Sequence, residues 1–179
     1  RGRGQRAGQV SRRFRGESQH KVDSKGRVSI PAQFRRVLET CDPNWQAGGN
    51  PELVIVYGDS RRGYLECYTI EAIEEVDAKI TALPRGSGPR KTLERLFNRQ
   101  SYQMSVDETG RLVLPAKLRD RIGLDGEAVF AGAGDTFQIW HPDAYDIETA
   151  ESDAALEELP EDFDPLMYLD GITPDQLKG

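Results

Sequence analysis

Residues 22–35 read VDSKGRVSIPAQFR, and residues 106–119 read VDETGRLVLPAKLR. Asp23, Gly26, Arg27, Pro31, Ala32 and Arg35 return as Asp107, Gly110, Arg111, Pro115, Ala116 and Arg119, each displaced by 84 positions. A repeat at fixed period decides an architecture before any single motif does. Both copies read the same way locally. A short strand (SQHKVD; SYQMSVD) meets a tight turn in which Gly26 or Gly110 supplies positive φ. A return strand (RVSI; RLVL) then enters a helix opened by proline, whose missing N–H costs nothing in a first helical turn. Phe34, Val37 and Leu38 follow at helical spacing in the first copy, and Leu118 and Ile122 take the inward positions in the second.

Outward from the repeat, the two halves continue in parallel. CDPNWQAGGNP reads as a loop, ELVIVYG as an apolar strand, DSRRG as a turn and YLECYT as an alternating strand. EAVFAG, AGD and TFQIW answer them after a shorter loop at Asp125 and Gly126. A helix follows each pair: Ile70, Ile73, Val76, Ile80 and Leu83 form one stripe, and PDAYDIETAESDAALEEL forms the other helix. PRGSGPRK, with Arg85, Arg90 and Lys91, reads as a solvated linker, and RKTLERLF as a short helix. The spacing therefore predicts an α+β chain of two β-β-α-β-β units. Strands of about five residues cannot bury a face alone, so the two units are expected to close one barrel-like core. The expected divisions are a disordered basic leader at 1–13, a first repeat with its helix at 14–83 and a linker with a short helix at 84–99. A second repeat with its helix at 100–158 and an acidic tail at 159–179 complete the chain.

The 179 residues carry a formal net charge of −6, which at first sight argues against an anionic partner. The distribution matters more than the sum. Arg1, Arg3, Arg6, Arg12, Arg13 and Arg15 precede any acidic residue, whereas Glu148 to Asp175 holds ten carboxylates. The middle lies closer to neutrality, with basic clusters around both repeats, so DNA binding is compatible with the total if those groups share a face. No run of about 18 apolar residues exists, so no membrane helix is expected. RGRGQRAGQVSRR is expected to be a trimmed start rather than a secretory signal. Cys41 and Cys67 lack CxxC spacing and are expected to be small buried or half-buried residues in a reducing cytoplasm. His20 and His141 are the only histidines and neither has a histidine or cysteine at i+2 or i+4. With no phosphate loop, no GxGxxG and no nucleophile–histidine context, the chain is expected to be no enzyme, with no metal, cofactor or small-molecule substrate. EDFDPLMYLDGI mixes apolar residues with acids and leaves two readings open, docking and disorder.

FRGESQHKVDSKGRVSIPAQFR, taken with MSVDETGRLVLPAKLR, resembles the MraZ family of bacterial transcriptional regulators, which are similar in turn to the swapped-hairpin domains of the AbrB type. The resemblance spans Phe14 to Tyr145, and its specificity lies in the paired D-x-x-x-R, each followed by a helix-opening proline. It implies a fused pseudo-dimer of swapped hairpins forming an AbrB-like β-barrel with peripheral helices, assembled as a homo-oligomeric ring. It further implies sequence-specific binding to repeats in the promoter of the division and cell-wall gene cluster, in the cytoplasm on the nucleoid. Against the family pattern, the arginine-rich residues before Phe14 are extra, and the tail after Tyr145 lies outside the match.

At the turn, two readings of Asp23 with Arg27, and of Asp107 with Arg111, stand side by side. One is a turn-bracing ion pair, worth about 0–1 kcal/mol when exposed. In the other, the arginine fork meets guanine edges or phosphates of double-stranded DNA while the aspartate fixes its direction. Arg27 and Arg111 are thus the principal candidate contacts. Lys25 and Lys21 add to the first hairpin only, since Thr109 and Ser105 stand at the matching positions. Arg35 and Arg119 are further candidates for phosphate contact. The competing functions are an interaction scaffold of the same fold that does not bind DNA, and an antitoxin-type regulator with a toxin-binding tail.

Overall fold

The computed structural model describes residues 11–177. The repeat maps element for element. The first copy gives β1 (Glu17–Lys21), β2 (Arg27–Ser29), α1 (Ala32–Thr40), β3 (Glu52–Val56), β4 (Tyr64–Thr69) and α2 (Ile70–Thr81). A connecting helix α3 (Gly88–Glu94) runs into a π turn at Arg95–Arg99. The second copy gives β5 (Ser101–Ser105), β6 (Arg111–Val113), α4 (Ala116–Ile122), β7 (Glu127–Gly132) and β8 (Thr136–Trp140). The chain divides into two compact units, one up to Pro142 and one from Asp143 onward.

Six strands form one antiparallel sheet in the order β1-β7-β8-β4-β3-β5, and β2 pairs with β6 in a separate two-stranded ribbon. β1 of the first copy hydrogen-bonds along β7 of the second, with Gln19 opposite Val129. β5 of the second copy lies along β3 of the first, with Gln103 opposite Val54. The expected closure into a barrel does not occur. β1 and β5 end as opposite edges of an open sheet, because each return strand leaves the sheet to pair with its counterpart in the ribbon.

One apolar core draws on both copies. Phe14, Val28, Phe34, Leu38, Leu53 and Ile55 from the first pack with Leu112, Leu114, Leu118, Phe130, Phe137 and Ile139 from the second. Burial of each such side chain stabilises the fold by about 1.5–3 kcal/mol. The burial depends on both halves, because the strands that complete each half come from the other. Across the sheet, Val54, Tyr68, Ile70 and Ile73 form a second cluster under α2, joined by Phe97 from the π turn. Thr69 caps α2 by accepting the Ala72 N–H at 3.0 Å.

The stretch expected as a solvated linker is largely exposed, and α3 starts within it. Ser87 caps α3, and Arg90 pairs with Glu94 at 3.1 Å while donating to the carbonyls of Thr81 and Leu83 at the end of α2. An arginine thus closes the orphan carbonyls that a helix end leaves behind. Of the leader, residues 1–10 lie outside the described residues, and Arg12 pairs with Glu71 at 2.9 Å. The helix α5 (Pro142–Glu157), all but its first residue in the unit from Asp143 onward, precedes short 3₁₀ turns at Pro165–Asp170 and Pro174–Leu177. Asp164 caps the first of these through the Leu166 N–H, and the Phe163 and Tyr168 rings meet edge to face at 4.9 Å. Among the described residues no helix is long and apolar enough to cross a membrane.

Candidate nucleic-acid interface

Asp23 organises the first turn from inside. Its Oδ1 accepts the N–H groups of Lys25 and Arg27, each at 2.9 Å, and its Oδ2 accepts Arg27 Nε at 2.6 Å. The Gly26 N–H donates to the Asp23 carbonyl at 3.0 Å, with Gly26 at φ 85°. Asp107 repeats the backbone pattern, accepting the N–H groups of Thr109 and Arg111 at 2.9 Å each. Its guanidinium contact differs. Thr109 Oγ1 donates to Asp107 Oδ1 at 2.7 Å and accepts Arg111 Nε at 2.9 Å, while Arg111 Nε stands 3.6 Å from Asp107 Oδ2.

These bonds hold both carboxyls below the ordinary aspartate range. The Arg27 backbone N–H and then its side chain do so for Asp23, and the Arg111 backbone N–H and then the Thr109 hydroxyl for Asp107. Groups with lowered pKa stabilise the fold fully above their unfolded value of about 4 and lose that contribution as pH falls through the folded value. Both turns are therefore fully braced across the neutral range.

The two turns are locked to each other. The Leu114 N–H donates to the Gly26 carbonyl at 2.8 Å, and the Ile30 N–H donates to the Gly110 carbonyl at 2.9 Å. The helix arginines cross in the same way. Arg119 Nε donates to the Leu114 carbonyl at 3.1 Å and a terminal nitrogen reaches the Ser24 carbonyl at 3.5 Å. Arg35 pairs with Glu39 at 3.2 Å and lies against Gly110. Lys25 is exposed within the first turn, and exposed Lys21 ends β1 opposite Glu127.

The ribbon gathers the principal candidates. Val28 faces Leu112, and both are buried. Successive side chains on a strand alternate sides, so Arg27, Ser29, Arg111 and Val113 share the outward face. In the ladder Arg27 stands opposite Val113 and Ser29 opposite Arg111, which sets the two arginines on a diagonal about 7–8 Å apart. Each arginine side chain is 40% exposed. Among the described residues, the bonds that hold them run through Nε, so both terminal nitrogens of each fork remain for a ligand.

Sequence reasoning missed the Thr109 relay and the outward Val113. A hydroxyl two residues after a turn aspartate is a signal for the first, and strand alternation around a buried Leu112 for the second. Cys41 and Cys67 are both buried, and burial pushes their thiols up. His20 sits mid-strand, bonded to Ser18 at 2.7 Å with its ring edge-on to Phe130, and burial lowers its pKa.

A small α+β chain built of two interleaved copies, with an arginine-bearing ribbon on its surface, is the class defined by this geometry. Comparison with known proteins places it further. The family model described as "MraZ protein, putative antitoxin-like" matches residues 13–69 and 97–163. The chain is 72% identical over 163 residues to the transcriptional regulator MraZ of Ruegeria pomeroyi, covering 90% of this chain and 98% of that one. It is 44% identical over 164 residues to the same-named protein of Cereibacter sphaeroides (88% and 95% covered), and 36% over 140 residues to that of Rhodospirillum rubrum (77% and 85%). The chain belongs to the MraZ family, whose curated members above are named as transcriptional regulators.

Proposed function

We propose that the protein regulates transcription by binding double-stranded DNA through the outward face of the β2–β6 ribbon. The supporting observation is the pair of arginines on that face, each oriented through Nε and each with its terminal fork available. A two-stranded ribbon fits the major groove, and the arginine fork matches guanine O6 and N7 or a phosphate. Asp23 and Asp107 orient the forks and do not meet the anionic DNA. Lys21 and Lys25 add charge to the first hairpin, whose grip is the stronger. Arg35 and Arg119 act first as positioning residues, each reaching the turn of the other copy, and supply phosphate contacts second. The interleaved strands are the fused form of a swapped-hairpin pair. The target is a set of repeats in the promoter of the division and cell-wall gene cluster, bound in the cytoplasm on the nucleoid by a homo-oligomeric ring. A ring matches repeated boxes through effective concentration.

Gel-shift titration on the promoter region of the protein's own gene tests this. Arg27→Ala and Arg111→Ala are each expected to lose about 10- to 100-fold in affinity, the range for a bidentate arginine contact. Unchanged binding with intact circular dichroism would refute the assignment, and loss of folding in both would favour the purely structural ion pair. Equal affinity of a dissociated protomer for one box and of the assembly for all would refute the ring. A second reading, an antitoxin-type regulator or protein scaffold, draws on the unit from Asp143 onward, where Leu166, Tyr168 and Leu169 stand exposed among carboxylates.

A further inference from the structure

In the unit up to Pro142, one large apolar side chain among the described residues stands exposed, Val113, at 48%. It occupies no loose end. It lies in β6 opposite Arg27, two residues after Arg111 on the same strand, on the outward face of the ribbon. Its neighbour Leu112 is fully buried, so strand alternation fixes Val113 outward. The matching position in the first copy is Ser29, also exposed. An isopropyl group thus stands opposite Arg27 and two residues from Arg111, each of them paired with an aspartate of its own turn.

Resting on the DNA-binding reading, we infer that Val113 is a specificity-determining residue that packs against the 5-methyl group of a thymine. The two guanidinium forks suit base edges and phosphates, and in the major groove of DNA the apolar feature on offer is that methyl. Val113 is held close to the Arg27 fork by the ladder, so the thymine it meets lies next to the base or phosphate that Arg27 contacts. Ser29, beside Arg111, presents a hydroxyl that bonds a polar base edge instead. The two pseudo-symmetric halves of the ribbon therefore read unlike chemistry, and the recognised box is asymmetric even though the protein fold is duplicated.

The test replaces thymines one at a time by deoxyuridine, which lacks only the methyl, in a duplex of the protein's own promoter region. Full-length protein and its Val113→Ala variant are titrated against each duplex. An exposed substitution of this kind leaves folding untouched. For the unaltered protein, a loss of about fourfold is expected at a thymine position in each box, the worth of one buried methyl group. Val113→Ala is expected to lose a similar factor on natural DNA and to show no further loss at that thymine. Additive losses would overturn the contact, as would insensitivity to every replacement. A change of assembly mass in Val113→Ala, without any methyl dependence, would assign the side chain to a contact between copies and also overturn it. Arg27→Ala and Arg111→Ala on the same duplexes separate the two levels. If they lose binding while no methyl matters, only the thymine contact fails; if they bind as the unaltered protein does, the DNA reading falls and the contact with it.

Discussion

In the second turn the Thr109 hydroxyl stands between carboxylate and guanidinium, whereas in the first Asp23 meets Arg27 directly at 2.6 Å. Thr109→Val keeps the shape and removes the relay. DNA affinity measured by fluorescence anisotropy is expected to fall about 2- to 10-fold, the range of one net hydrogen bond, and Thr109→Ser is expected to restore it. The turn glycines differ as well. At Gly110 a Cβ would meet the flexible end of Arg35 at 3.2 Å, whereas at Gly26 it would stand 2.2 Å from the Leu114 carbonyl oxygen. Both have positive φ, so Gly110→Ala is expected to cost about 1–2 kcal/mol in urea unfolding and Gly26→Ala more. The repeated Asp, Gly and Arg were legible because they recur at fixed spacing. The relay was not, because a hydroxyl's partner depends on a rotamer, and the matching residue in the first copy is a lysine.

Strand periodicity and turn residues gave the elements closely: the stretches YLECYT, EAVFAG and TFQIW coincide with β4, β7 and β8. Around Pro84–Lys91 the exposure was legible, but the hold of Arg90 on the end of α2 was not, because glycine and proline read alike in a linker and ahead of a helix. β1 also carries a titrating group. His20 has a lowered pKa in the fold through burial, so below its unfolded value of about 6.5 the unfolded chain binds more protons. Its contribution is present at neutral pH and is lost as pH falls through about 6.5. The Tm is expected to drop between pH 7.5 and pH 5.5, and to drop less in His20→Gln. In the ribbon, Leu112→Ala removes a fully buried side chain and is expected to cost about 2–5 kcal/mol, read by chemical denaturation.

At the scale of the whole molecule, duplication was legible and interleaving by pairing was not. Apolar alternation says that a strand has a buried side, but not which strand lies beside it. That is why a barrel was expected where an open sheet and a ribbon formed. A fragment spanning 14–83 retains β1 but lacks β7, its partner. It is expected to be unfolded as a monomer and to gain strand signal only as a self-pair, followed by circular dichroism with light scattering. The same interleaving has a consequence for synthesis. β1 leaves the ribosome early and finds its hydrogen-bond ladder only after β7, more than a hundred residues later, has emerged. Contacts this distant in sequence form slowly, and an unpaired strand in the interval pairs readily with another chain. Nascent copies growing on one message therefore compete with each chain's own second half for its first strand.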